Sequence, residues 1–124
     1  MYFLEISREK FLADLKNCEG VICNAGFELP SEVLKLGKKL MVKPILGHTE
    51  QEANAMSIEL LEYGTKVKKI NEEVLTKWLK TKSKIKINYP NVAKDIANWI
   101  NKGNFEDSYQ LVKEAWEKTK ITKY

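Results

Sequence analysis

The sequence predicts an α/β fold on two observations. Short apolar runs alternate with longer helical patterns, and helix-start and helix-stop residues punctuate that alternation. Strand followed by helix followed by strand means parallel strands joined by right-handed crossovers. The expected architecture is Rossmann-like, three-layered α/β/α, around a short, mostly parallel sheet of about four strands. The 124 residues are expected to form a single domain, 1–124. A chain of that length buries roughly two-thirds of its unfolded surface and needs no metal or disulfide to fold.

Each element has a local reason. Residues 2–6 read as a strand, and Ser7 as the N-cap of a helix to Asn17 with Phe11, Leu12 and Leu15 on one face. Val21-Ile22-Cys23 is a second strand, its unbroken apolar character predicting burial on both sides. Pro30 at a first helical position opens a helix through Val33, Leu34 and Leu36, and Gly37 closes it. Leu40-Met41-Val42 begins a third strand that ends at Pro44. Thr49 followed by Glu52 is a capping box with Gly64 as its stop, and the helix between is expected to bury Ala53, Met56, Ile58, Leu60 and Leu61. Residues 65–70 are a candidate fourth strand, and Asn71 caps a helix to about residue 82. Residues 85–87 are extended, and two helices come after them, about 92–101 and 105–119, separated by Lys102-Gly103-Asn104.

Composition narrows the function classes. The chain is 44% hydrophobic and 31% charged, which excludes disorder and collagen-like repeats. No apolar run approaches the ~18–20 residues a bilayer span requires. Met1-Tyr2-Phe3-Leu4-Glu5 lacks the basic start and apolar middle of a signal peptide, so the expectation is cytoplasmic, with peripheral contact at the inner face of the membrane open. Cys18 and Cys23 match no zinc or redox spacing, and a single histidine, His48, excludes a histidine metal cluster, so no metal is expected. Charge is uneven: residues 1–63 carry 7 Lys+Arg against 10 Asp+Glu, and the remainder 14 against 7. The excess lies largely in Lys66, Lys68, Lys69, Lys77, Lys80, Lys82, Lys84 and Lys86. A nucleic-acid surface would interleave such lysines with arginines and exposed aromatics, and the chain has one arginine, Arg8, which argues against nucleic acid. Such a run is a solvated face or a contact for an acidic partner or an anionic membrane.

In an open parallel sheet, ligands bind beyond the carboxyl ends of the strands, where helices begin. Two segments stand there. In Asn24-Ala25-Gly26-Phe27-Glu28-Leu29-Pro30-Ser31-Glu32, a glycine directly after a strand allows close approach of a ligand, and the following helix N-terminus suits phosphate. Gly26 is expected to be needed both for its backbone freedom and for that approach. Glu32, one turn inside, is placed to accept hydrogen bonds from vicinal hydroxyls. In the stretch from Pro44 to Asn54, His48, Glu50, Gln51, Glu52 and Asn54 concentrate groups suited to sugar hydroxyls. Dipole complementation accounts equally well for Glu32, and capping for Glu50 and Glu52.

The full string of Val21-Ile22-Cys23-Asn24-Ala25-Gly26-Phe27, Ser31-Glu32, Leu36-Gly37-Lys38-Lys39, Pro44, Gly47, Glu50-Gln51 and Asn54-Ala55 resembles the donor-binding half of GT-B glycosyltransferases. The resemblance is to the group containing MurG and the UDP-glucuronosyltransferases, strongest over residues 18–64 and weaker through Tyr89-Pro90. It implies a nucleotide-sugar donor, most simply a UDP-sugar, and no metal or other cofactor. It implies that Asn24, Gly26, Ser31 and Glu32 meet the nucleotide and its phosphates, and that His48, Glu50, Gln51 and Asn54 meet the sugar. It implies hexosyl transfer with a catalytic base supplied by an acceptor-binding domain, to which nothing in this chain corresponds, so no catalytic residue is expected here. Glu28-Leu29 departs from the Asn-Ser or Asn-Thr of many relatives, putting a carboxylate near the expected phosphate. The alternative is a non-catalytic α/β domain that meets a partner or an anionic membrane through its lysines. The strand at 21–23 would leave an apolar edge, to be covered by residues 2–6 or by a second copy in a homodimer.

Overall fold

The computed structural model describes residues 7–103, 105–106 and 108–124. Among them the chain forms α1 (Arg8–Asn17), β1 (Gly20–Cys23), α2 (Glu28–Lys35), β2 (Lys39–Val42), α3 (Thr49–Leu60), β3 (Thr65–Lys66), α4 (Glu72–Leu79), β4 (Ile85–Asn88), α5 (Val92–Lys102), α6 (Ser108–Lys118) and β5 (Lys120–Lys123). The class is α/β and Rossmann-like. β1, β2 and β3 form one sheet in that order, each pair parallel, with Gly20 opposite Lys39 and Met41 opposite Thr65.

The core lies on one face of this sheet. Leu40 and Val42 of β2 pack with Val33 and Leu34 of α2, Ala55 and Ile58 of α3, Leu15 of α1, and Ile85 and Ile87 of β4. The alternate residues of β2, Lys39 and Met41, are also buried, on the opposite face, where Trp78 of α4 stands. Gly20 shares that face: a Cβ there would meet Lys39 Cγ at 2.2 Å and Trp78 at 2.9 Å. Helices therefore cover both faces, as parallel strands require.

Helix ends show how the turns are made. The Ser7, Asn71 and Asn91 side chains cap α1, α4 and α5, accepting from the backbone N–H three residues on. α2 ends in a Schellman turn: Gly37 takes φ +68°, while Lys38 N–H reaches Val33 O at 3.1 Å and Gly37 N–H reaches Leu34 O at 3.1 Å.

Several expectations are corrected. The expected strand over 65–70 is shorter: β3 is Thr65–Lys66, and residues 67–70 leave the ladder after one further bond, Val67 N–H to Val42 O at 2.9 Å. β1 is not buried on both sides: Ile22 is exposed, and no residue of the strand is fully buried. α2 begins at Glu28, so Pro30 is its third residue; its missing N–H costs nothing anywhere in the first turn. α3 buries Ala55 and Ile58, whereas Ala53, Met56, Leu60 and Leu61 are exposed. Its stop is not Gly64 but Glu62, at φ 58°, with Tyr63 N–H bonded to Ile58 O at 2.8 Å. Gly64 serves a different end: a Cβ there would sit 2.8 Å from Leu40 O of the central strand. β5 has no counterpart among the expected elements; it pairs antiparallel with β4, Ile87 opposite Ile121, in a second two-stranded sheet. Residues 2–6, and with them the covering of the β1 edge, lie outside the described residues.

Gly64→Ala should therefore destabilise the domain by about 1–3 kcal/mol, because the clash is with backbone that cannot rotate away. Urea unfolding of the two proteins checks it; equal midpoints would mean that β2 and the Gly64 turn do not approach as closely as described.

Candidate functional site

The carboxyl ends of β1 and β2 open side by side, and each feeds the start of a helix. The two loops are tied to one another. Asn24 Nδ2 donates to Lys43 O at 3.0 Å, joining the loop after β1 to the loop after β2. Asn54 Nδ2 of α3 donates to Ala25 O at 3.1 Å, and Ala25 itself is fully buried. Gln51 Oε1 accepts from Ile45 N–H at 3.1 Å, so the loop is also held to α3. Asn24, Gln51 and Asn54 thus fix the rim of the crevice through their side-chain amides.

The turn after β2 is built by Gly47. His48 N–H bonds to Ile45 O at 3.1 Å and Gly47 has φ +78°, the arrangement of a type II turn with glycine at its third position. That turn delivers His48 to the start of α3, where Nδ1 accepts from Gln51 N–H at 3.4 Å. His48, not Thr49, is the N-cap. With Nδ1 as acceptor, the neutral ring carries its proton on Nε2, a donor aimed away from the helix.

The start of α2 is different. Phe27 stands at its N-cap with no side-chain hydrogen bond, whereas side chains close α1, α3, α4 and α5. The amides of Glu28 and Leu29 are left for solvent or a ligand. Gly26 precedes them. Its φ lies outside the left-handed region and a Cβ would meet nothing within 4 Å, so the expectation that the backbone needs glycine there is corrected. What the glycine leaves is open space at a helix N-terminus.

Glu32 and Glu50 are exposed, and among the described residues neither has a hydrogen-bond or ion-pair partner. Ser31 turns to its own helix, donating to Phe27 O at 2.7 Å. Glu28 is exposed too. The structure brings Asn24, Gly26, Gln51 and Asn54 to one rim and sets Ser31 toward Tyr89. There, burial pushes the Tyr89 phenol above the ordinary tyrosine range, with a side-chain hydrogen bond to Ser31 opposing and nearby Tyr63 adding.

Beside the His48 turn lies a cavity of about 670 Å³ lined by Lys43, Ile45, Gly47, His48, Glu52 and Lys68, among others. Lys66 forms an ion pair with Glu52 at its wall. The sequence reading misses Lys66 and Lys68 here, because in a run of lysines nothing distinguishes those that the fold turns toward a cavity. Cys23, at the end of β1, is half-buried, and burial raises its thiol to about 11, so it is neither nucleophile nor ready metal ligand at neutral pH. Among the described residues no three His, Cys, Asp or Glu side chains are grouped to hold a metal ion. Nor is any helix long and apolar enough to cross a membrane.

A family model described as glycosyl transferase family 1 matches residues 1–82. The match spans α1 to α4 and so includes the whole parallel sheet and both loops of the crevice; β4, α5, α6 and β5 lie beyond it. No curated protein and no solved structure matches the chain.

The open space at Gly26 and the burial of Cys23 can each be checked. Gly26→Ala should leave the unfolding midpoint within about 0.5 kcal/mol of the parent, unlike Gly64→Ala, as expected where a side chain enters open space. Alkylation of Cys23 by iodoacetamide, read by mass spectrometry, should accelerate with pH toward about 11 rather than level off near 9.

Proposed function

Because the chain belongs to glycosyl transferase family 1, we propose that it is the nucleotide-sugar-binding part of a GT-B enzyme of the kind that includes MurG and the UDP-glucuronosyltransferases. Its donor is a UDP-sugar, and it takes part in hexosyl transfer when joined to an acceptor-binding domain or partner. The observation that carries the reading is the uncapped N-terminus of α2 beside Gly26, inside the family match and at the carboxyl end of a parallel strand.

The chemistry is electrostatic. Departure of a nucleoside diphosphate develops negative charge, and free backbone amides at a positive helix end stabilise it without a metal. Gly26, lacking a side chain, lets the diphosphate come against the backbone. Glu32, exposed and unpaired, is one turn further along α2, within the same helix that would hold the phosphates, and accepts the ribose hydroxyls. On the other wall the Nε2–H of His48 and the carboxylate of Glu50 offer a donor and an acceptor to the transferred sugar. Asn54 and Asn24 hold the two walls in register and Gln51 holds the second loop to α3, with their amide groups partly committed to Ala25, Lys43 and Ile45. No residue of this chain is assigned as the base that activates the acceptor.

UDP added to isotopically labelled protein should shift the amide resonances of residues 24–32 and 47–54. Glu32→Ala should weaken that binding while changing stability by no more than about 0.3–1 kcal/mol, the worth of one dipole interaction. Gly26→Ala should weaken it with the fold intact. Shifts confined to residues 77–86 would instead favour a lysine-rich face that meets an anionic partner or membrane, and equal affinity in the Glu32→Ala protein would remove Glu32 from the site.

A further inference from the structure

Hydrogen bonds among Ile45, His48 and Gln51 close on themselves in the second wall of the crevice. His48 N–H donates to Ile45 O at 3.1 Å, Ile45 N–H to Gln51 Oε1 at 3.1 Å, and Gln51 N–H to His48 Nδ1 at 3.4 Å. The cycle ties the loop after β2 to the start of α3, beside the cavity that Ile45, Gly47 and His48 line. The first two links join amide groups, which keep the same donor and acceptor at every pH. The third depends on an imidazole, the side chain that changes charge in mild acid.

A second proton on the His48 ring turns Nδ1 from an acceptor into a donor, facing the N–H of Gln51. It also sets a cation on the positive end of α3. The surrounding charges do not offset this. Lys43 and Lys68 line the same cavity and repel a cation. Of the carboxylates in the first turn of α3, Glu52 is paired with Lys66, which leaves Glu50, exposed to water that screens it. No residue of α2 lines that cavity.

The sequence holds a second way to start the same helix. Thr49 and Glu52 have the spacing of a capping box, in which the Thr49 hydroxyl accepts from Glu52 N–H and the Glu52 carboxylate from Thr49 N–H. In the structure that box is idle. Glu52 N–H bonds to His48 O at 3.0 Å, its carboxylate is with Lys66, and among the described residues the Thr49 hydroxyl has no partner. The start of α3 thus has two caps one residue apart, and a proton on His48 disfavours the one in use. We propose that His48 is an acid-sensitive latch: neutral, it holds the second wall of the crevice to α3; protonated, it yields the helix start to Thr49 and lets the wall open. The latch is independent of nucleotide-sugar binding, and its test uses no ligand.

The full chain is followed by NMR from about pH 8 to about pH 5, the span in which imidazoles titrate. Because His48 is the only histidine, its ring Cε1–H resonance reads the protonation directly. As the ring protonates, the Thr49 Cα shift should leave the helical range, and the Ile45 and Gln51 amides should move with the same midpoint. His48→Asn substitutes a cap that does not titrate, so Thr49 should stay helical throughout. The stability that the His48 cap contributes is present where the ring is neutral and is lost as pH falls. Thr49→Ala removes the second cap, so its folding constant should fall across this span by roughly fivefold more than the parent's, the worth of one N-cap. Both positions are exposed, and neither substitution enters the core. A ring that titrates while Thr49 stays helical overturns the latch, as do movements that follow the carboxylates or that persist in His48→Asn. So does an equal pH dependence of stability in the parent and in Thr49→Ala.

Discussion

The domain depends on four consecutive residues, Lys39 to Val42, every one of them buried. β2 is the middle strand, and both its neighbours pair with it, so its two faces have to be finished by different chemistry. Leu40 and Val42 complete an ordinary apolar core. On the other face a lysine is buried, and its ammonium is satisfied in three ways. Nζ donates to Leu79 O at 2.8 Å and to Thr81 O at 3.3 Å, and it lies 4.7 Å from the centre of the Trp78 ring. Leu79 O is a carbonyl that the end of α4 leaves open and Thr81 O lies just past its C-cap, so one cation closes the helix and compensates its own burial. Gly20 of β1 is needed because the stem of Lys39 occupies the place of a side chain there.

That central strand also sets the position of the crevice. Parallel pairing of β1 with β2 in direct register ends the two strands at Cys23 and Val42, level with each other. The loops after them therefore start side by side and can be joined by side chains as short as asparagine. Asn24 and Asn54 do this, while Gln51 holds the second loop to its own helix, each amide bonding a backbone group of a loop. The consequence is a rim whose shape is fixed by hydrogen bonds before any ligand arrives, while the groups left unbonded, Glu32, Glu50 and the amides at the start of α2, are those with chemistry to offer.

Much of the fold is legible in the sequence because its signals are local. Ser7 and Asn71 cap where their side chains suggest, and the βα alternation through α3 follows from apolar runs and glycines. The failures have physical causes as well. The capping box at Thr49 competes with a histidine one residue earlier, and the type II turn at Gly47 settles the matter by delivering His48 to the helix start. Gly64 looks like a helix stop because glycines so often are, yet its requirement is distance to Leu40 O. β5 is four exposed residues, Lys120–Lys123, with no apolar alternation strong enough to announce a strand; it exists through pairing with β4. Of the candidate site, the two loops are readable from their place after the strands. That Asn24, Gln51 and Asn54 fasten those loops depends on partners up to 29 residues away, which no spacing reveals.

The part beyond residue 82 is held differently from the rest. Neither α5 nor α6 contains a buried residue, although α5 carries Val92, Ile96, Trp99 and Ile100 at helical spacing. Trp99 of α5 stands edge-on to Phe105 of the connecting segment at 5.4 Å, and Lys118 of α6 pairs with Asp95 of α5 at 3.1 Å, a pair too exposed to contribute more than ~1 kcal/mol. The anchor to the body is β4: Ile85 and Ile87 belong to the common core, and β5 is held by the ladder with β4, extended by Tyr124 N–H to Lys84 O at 2.8 Å. Few buried contacts and many exposed ones define the low-stability end of a structure, so α5, α6 and β5 should open together at a smaller free energy than the parallel sheet.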